Sequence, residues 1–171
     1  MNLPRAGAKF CSTNCRVYFH RKRTLPVELT SRARWVRHDR TGRPLTVSGR
    51  LAAVDDPGTW SSHAGVKASG VGAGMGFVLN GDGIGCLDLD DCMLNGQVEP
   101  WAQLIIDANP NTFTETSRSG NGIHIWGLLD AAPGRRIRDG RNLEIYSRGR
   151  YIALGKALAG TPLKLEPLII P

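Results

Sequence analysis

Three short runs in the second half of the chain alternate apolar and polar residues with a period of two, the spacing that separates the two faces of a β-strand. Ile84-Gly85-Cys86-Leu87-Asp88-Leu89-Asp90 ends with Leu87 and Leu89 on one face and Asp88 and Asp90 on the other. Gly122-Ile123-His124-Ile125-Trp126 sets His124 opposite Ile123 and Ile125, and Leu143-Glu144-Ile145-Tyr146 sets Glu144 opposite Leu143 and Ile145. Each run predicts a strand with an apolar side for a core and a polar side left open. Side by side in one sheet, the three would bring Asp88, Asp90, His124 and Glu144 together on that open face.

Upstream the pattern is weaker. Arg34-Trp35-Val36-Arg37 predicts a short strand and Gly42-Arg43-Pro44 a turn. Asp55-Asp56-Pro57-Gly58 predicts the start of a helix near Trp60. The stretch Gly70 to Gly76 reads as a loop, and Gly76-Phe77-Val78-Leu79 as a further strand. A helix is expected from Cys15 to Arg23, with Pro26 stopping it soon after. His38 and His63 are expected at the surface, and Cys86 and Cys92 as small core fillers.

Composition changes the picture modestly. With 171 residues the chain suits one domain, and 21 Gly and 10 Pro favour many turns and short strands over long helices. No apolar run is long enough to span a bilayer and the N-terminus has no apolar signal segment, so no membrane partner is expected. A cytoplasmic location follows, with its cysteines reduced. Charge changes more. Residues 1–50 hold 12 Lys/Arg against 2 Asp/Glu, and residues 51–171 hold 10 against 13, which together give the net +7. A basic arm on a mildly acidic body suits a protein whose arm meets phosphates and whose body holds cations.

The candidate chemistry follows from the carboxylates. Asp88, Asp90 and Glu144 brought together would repel one another unless cations lay between them, and hard oxygen ligands of this kind suit Mg²⁺ or Mn²⁺. Before the His124 strand lies Ser117-Arg118-Ser119-Gly120-Asn121-Gly122, whose hydroxyls, backbone amides and Arg118 suit a phosphate. As a plain structural element the same segment is an Asn-Gly hairpin turn. After Glu144 come Arg148 and Arg150, two more cations near the same place.

In this order, Leu87-Asp88-Leu89-Asp90, Ser119-Gly120-Asn121-Gly122-Ile123-His124 and Leu143-Glu144-Ile145-Tyr146 followed by Arg150-Tyr151, the chain resembles the archaeo-eukaryotic primase superfamily. It is more closely similar to the primase-polymerase domains at the N-terminus of phage and plasmid replication proteins. The resemblance covers about residues 34–155, with Trp35, Pro44 and Trp60 fitting the weaker upstream pattern. It implies an α+β fold: an antiparallel catalytic sheet of RNA-recognition-motif type, flanking helices and a small α/β subdomain. It implies that Asp88, Asp90 and Glu144 hold two divalent ions, Mg²⁺ or Mn²⁺. Ser117, Arg118, Ser119, Gly120, Gly122 and His124 would bind the incoming nucleotide, joined, from their charge and position, by Arg148 and Arg150. The third acidic residue is Asp in many members, and Glu144 is a variant. The partners implied are a DNA template and primer, deoxynucleotides or ribonucleotides, and a helicase domain in a longer protein.

The domain organisation expected is a basic arm over 1–30, a catalytic domain over 31–165 and the start of a linker over 166–171. Cys11-Ser12-Thr13-Asn14-Cys15 resembles half of a small zinc finger, but no Cys pair precedes it and only His20 offers a third ligand, so zinc is not expected. Two other functions use the same residues. A metal-dependent nuclease would employ the three carboxylates for hydrolysis, and a non-catalytic DNA-binding module would rely on the basic arm alone. A tyrosine-dependent nickase needs a His-x-His pair, and the chain has none.

Overall fold

The computed structural model describes residues 24–171. The helix expected over Cys15–Arg23, the cysteine pair and most of the basic arm lie outside the described residues. The remainder is an α+β fold built on antiparallel sheets.

In chain order the elements are α1 (Val27–Thr30), β1 (Trp35–His38), β2 (Pro44–Leu45), a 3₁₀ turn (Pro57–Thr59), α2 (His63–Ala68), β3 (Gly74–Asn80) and β4 (Ile84–Leu89). They continue with β5 (Met93–Leu94), β6 (Gln97–Val98), α3 (Pro100–Ala108), β7 (Thr114–Thr116) and β8 (Ile123–Leu128). The last four are β9 (Arg135–Ile137), β10 (Leu143–Tyr146), β11 (Arg148–Ala153) and β12 (Lys156–Ala157). One sheet has six strands in the order β12-β7-β8-β4-β10-β9, a second has four in the order β11-β3-β1-β2, and β5 and β6 form a separate hairpin.

The helix expected near Trp60 is only the short 3₁₀ turn, capped by the Asp56 side chain on the Gly58 amide at 2.9 Å; the true helix, α2, starts three residues after Trp60 behind the Ser62 cap. The β5–β6 hairpin turns on Asn95 (φ 52°) and Gly96 (φ 77°), the pair of left-handed positions that Asn-Gly supplies. The helix α3 begins at Pro100, a residue preorganised for the first helical position, and buries Ala102 and Ile105.

The two faces of the six-stranded sheet have different covers. Leu87, Leu89, Ile123, Ile125, Leu143 and Ile145 pack with Ala102 and Ile105 of α3 in one apolar cluster. On the other face, Cys86, Trp126 and Tyr146 pack against Phe77 and Leu79 of β3 and Ile152 of β11. The four-stranded sheet therefore lies over the face that the alternation had left open. The expectation of an open polar face is corrected accordingly: Asp88, His124 and Glu144 are 8%, 4% and 5% exposed. The cause lies two residues away along each strand, where Cys86, Trp126 and Tyr146 share that face and bury themselves under β3 and β11. Only the far end of the face reaches solvent, through a cleft between the sheets.

One further expectation is corrected, and the last residues take a defined place. His38 is buried at 1% exposure, its ring against Gly74, where any β-carbon would come within 2.4 Å of it. Residues 166–171, expected to begin a linker, lie against the sheet: the Leu128 amide donates to the Glu166 carbonyl at 2.8 Å and the Leu168 amide to the Leu128 carbonyl at 3.0 Å. The Asn109 side chain adds two hydrogen bonds to the Ile169 backbone. Cys86 and Cys92 are buried free thiols, as expected of core fillers. Among the described residues no helix is long and apolar enough to cross a membrane.

Candidate metal and phosphate site

Register turns the three alternating runs into one line. Glu115 pairs with His124, His124 with Asp88, Asp88 with Glu144 and Glu144 with Arg136, a single row across β7, β8, β4, β10 and β9. Because register partners in neighbouring strands lie side by side on the same face, five ionisable side chains stand about 5 Å apart in sequence across the sheet. Asp90, just past the end of β4, completes the cluster. Asp88, Asp90 and Glu144 each offer an oxygen, and these atoms all lie within 4.8 Å of one another.

The crowding leaves a clear electrostatic mark. Burial, then the charges of Asp88 and Glu144, push the Asp90 carboxyl up to about 6. His124 is held between two carboxylates, with Nδ1 donating to Glu115 Oε1 at 3.0 Å and Nε2 3.4 Å from Asp88 Oδ1. Burial opposes its charge, but the hydrogen bonds and charges of Asp88 and Glu115 outweigh that and lift the imidazole to about 9. The two carboxylates thus favour the charged form of His124. Asp88 Oδ1 is buried and has no hydrogen-bond partner apart from that longer ionic contact.

Glu144 has a different environment. Its carboxylate accepts from Arg138 and from the Tyr146 hydroxyl, with Arg136 Nε at 3.2 Å and Arg150 Nη2 at 3.8 Å. Burial works against its ionisation, yet Tyr146 and the arginines hold its pKa below the ordinary glutamate value. Of the three carboxylates it is the one already neutralised by the protein.

A cleft of about 540 Å³ opens above the row. Asp88, Asp90 and His124 line its floor, Ser117, Arg118 and Ser119 one wall, and Arg150 and Tyr151 of β11 another. The 117–122 segment is the β7–β8 turn, closed by the Ser117 amide on the Gly122 carbonyl at 2.7 Å. The left-handed residue is Gly120 (φ 82°), not the Asn-Gly pair. Gly122 serves close approach instead, since a β-carbon there would come within 2.7 Å of the Leu89 carbonyl. The amides of Gly120, Asn121 and Gly122 donate to the Ser117 carbonyl, Ser119 Oγ and Ser117 Oγ within the loop. What this wall offers the cleft is therefore its hydroxyls and the Arg118 guanidinium, rather than a ring of amides. Gly120, Gly122 and Arg148 do not line the cleft; Arg148 starts β11 as the register partner of Asn80.

One support escaped the sequence reading, and a second was expected only as a turn. Glu115, 1% exposed, orients His124 and also accepts from Trp126 Nε1 at 3.0 Å. Its strand carries too little alternation, in Thr114-Glu115-Thr116, to single it out. The turn 39–43, knotted by four hydrogen bonds to the Asp39 carboxylate, presents the Arg40 carbonyl to Arg118 Nη1 at 3.3 Å, and Tyr151 donates to the Gly42 carbonyl. An Asp followed by Thr at the second position and Arg at the fourth was a readable turn signal.

No protein-family model matches the chain, and no curated protein matches it.

Proposed function

We propose that the cleft is the active site of a template-directed nucleotidyltransferase, a primase-polymerase that extends a strand on DNA. The observation that carries this reading is the register-matched pair of Asp88 and His124, with Asp90 beside them, facing a wall of Ser117, Arg118 and Ser119 across one cleft; Glu144, next in the row, does not line the cleft but has an oxygen within 4.8 Å of those of Asp88 and Asp90. Acidic groups beside a cationic, hydroxyl-bearing wall are complementary to a nucleoside triphosphate accompanied by divalent ions.

The residues fit such ions. The buried Asp88 carboxylate, whose Oδ1 has only a 3.4 Å ionic contact to His124, and the crowded carboxyl of Asp90 are both relieved by a hard dication, and Glu144 offers a third oxygen within 4.8 Å. Mg²⁺ or Mn²⁺ bound there would neutralise the carboxylates, ease ionisation of the attacking hydroxyl and stabilise the pyrophosphate leaving group.

The chain's own residues do the rest. Arg118 and the Ser117 and Ser119 hydroxyls bind triphosphate oxygens at the wall. His124, kept charged by Glu115 and Asp88, places a fixed positive charge on the cleft floor, where it needs no reorganisation as phosphate charge shifts. Glu115 and Trp126 keep its ring in one orientation. The overlying β3 and β11 exclude water from most of the row, which strengthens each of these interactions. On this reading the six-stranded sheet corresponds to a catalytic sheet of RNA-recognition-motif type.

A 5′-labelled primer annealed to a longer DNA template, with nucleotides and Mg²⁺ or Mn²⁺, tests the reading by product length. Longer products are expected. Shorter ones would assign the cluster to a nuclease, and unchanged length with salt-sensitive binding would leave a DNA-binding module.

A further inference from the structure

The flank of the cleft opposite Arg118 carries more positive charge than the protein uses. Arg136 stands on β9, the edge strand, Arg138 lies just past its end, and Arg150 reaches over from β11; all three surround Glu144. Three guanidiniums against one carboxylate leave an excess of two positive charges. Asp88 faces His124 instead, and the charges acting most strongly on Asp90 are those of Asp88, Glu144, Asp91 and His124. The neighbouring Asp139 is bound to Arg141 at 2.6 Å.

The donors are exposed as well as surplus. The Arg136 side chain is 65% exposed and touches Glu144 and Tyr146 through Nε alone, so its two terminal nitrogens have no partner among the described residues. The Arg150 side chain is 44% exposed, its guanidinium laid over the Tyr146 ring at 4.9 Å and its nearest carboxylate oxygen at 3.8 Å, beyond hydrogen-bond length. A guanidinium has five N–H donors in a fixed fork that matches phosphate oxygens. Arg136 and Arg150 are held in place at one edge and open at the other.

We propose that Arg136 and Arg150 grip the backbone phosphates of the single-stranded DNA that the cleft copies. The inference rests on the nucleotidyltransferase reading for its choice of ligand, and geometry sets the division of labour. The β7–β8 turn and β9 lie on opposite sides of β4, with β8 and β9 three strand spacings apart, about 14 Å. A triphosphate at the Arg118 wall leaves the β9 flank for the polynucleotide, with the carboxylates between the two. Glu144 then has a second duty: it fixes the angle at which Arg136 and Arg150 meet the strand.

Binding of a fluorescent single-stranded oligodeoxynucleotide to the full chain, measured across a salt series in chelator, tests this without catalysis. Each phosphate contact contributes about 0.7 to the slope of log affinity against log salt for a single strand. Arg136→Ala is expected to weaken binding by about threefold to tenfold and to lower the slope by about 0.7, and Arg136→Ala with Arg150→Ala by about 1.4. Arg136→Lys, which keeps a point charge, should retain most of the slope. Arg135→Ala is the control: it sits on the same strand but pairs with Ile145 on the other face, and should leave the slope unchanged. An unchanged slope in Arg136→Ala, an equal loss in Arg135→Ala, or a loss of Mg²⁺-nucleotide binding in place of DNA binding would each overturn the proposal. A lowered slope in a protein that extends no primer would keep the phosphate grip and discard the polymerase.

Discussion

The six-stranded sheet presents two faces made by the same strands from alternate residues, and they obey different rules. On the α3 side, Leu87, Leu89, Ile123, Ile125, Leu143 and Ile145 form one apolar layer with no charge in it. On the cleft side, one position further along each strand, Glu115, His124, Asp88, Glu144 and Arg136 form a row with almost nothing apolar between them. The first face stabilises the fold through buried area, which depends little on which partner supplies it. The second places like charges together and leaves Asp88 Oδ1 with no hydrogen bond beyond a 3.4 Å ionic contact to His124, an arrangement that costs stability and makes sense for a ligand. Stability and function are thus separated by a single residue step along a strand.

Mutations should separate them too. The largest effect is expected on the apolar face: Leu87→Ala should lower unfolding free energy by about 2–5 kcal/mol, read by chemical denaturation, while its neighbour Asp88→Asn should change it far less. Equal losses from both would break the comparison. Next comes Glu115, which holds His124 in its charged form. Because the folded pKa of His124 is raised to about 9 from 6.5, its charged pair stabilises the metal-free protein fully below about pH 6.5 and is lost as pH rises through 9. Glu115→Gln should flatten the thermal stability between those limits and move the His124 imidazole titration, followed by NMR, down toward its ordinary value.

How much of this was legible in the sequence differs between the two faces as well. The apolar positions, and the facing of Asp88, His124 and Glu144 away from them, follow from period-two alternation alone. The cover over the polar side does not, because alternation within a strand says nothing of how one sheet packs on another: β3 directly precedes β4 and β11 directly follows β10, yet both belong to a second sheet that folds back over that face. Alternation also cannot give register, which is what puts Glu115 and Arg136 into the row. The helix α3 has its signals in Pro100 and in Ala102-Gln103-Leu104-Ile105-Ile106, but its short apolar run does not by itself distinguish a helix from a strand. The arginines around Glu144 could be counted from the sequence, but that they converge on one carboxylate depends on β9 pairing with β10.

Two smaller effects sharpen the cleft side. The Asp90 carboxyl, pushed up to about 6 by burial and its acidic neighbours, must lose its proton before it binds a cation. Mn²⁺ affinity, measured by calorimetry, should be nearly flat above pH 7 and should fall by up to about tenfold per pH unit below 6. An affinity independent of pH across this range would remove Asp90 from the ligands. Arg135→Ala, exposed on β9, should alter stability by less than about 0.5 kcal/mol, a baseline for the Arg136 variants.

The most direct measurement compares primer extension by the wild-type chain and by Asp88→Asn on one DNA template with nucleotides and Mn²⁺. The account predicts extension by the wild type and a loss of about a thousandfold in the variant, with its denaturation midpoint nearly unchanged. Extension by the variant at the wild-type rate, or none by either protein, would contradict it.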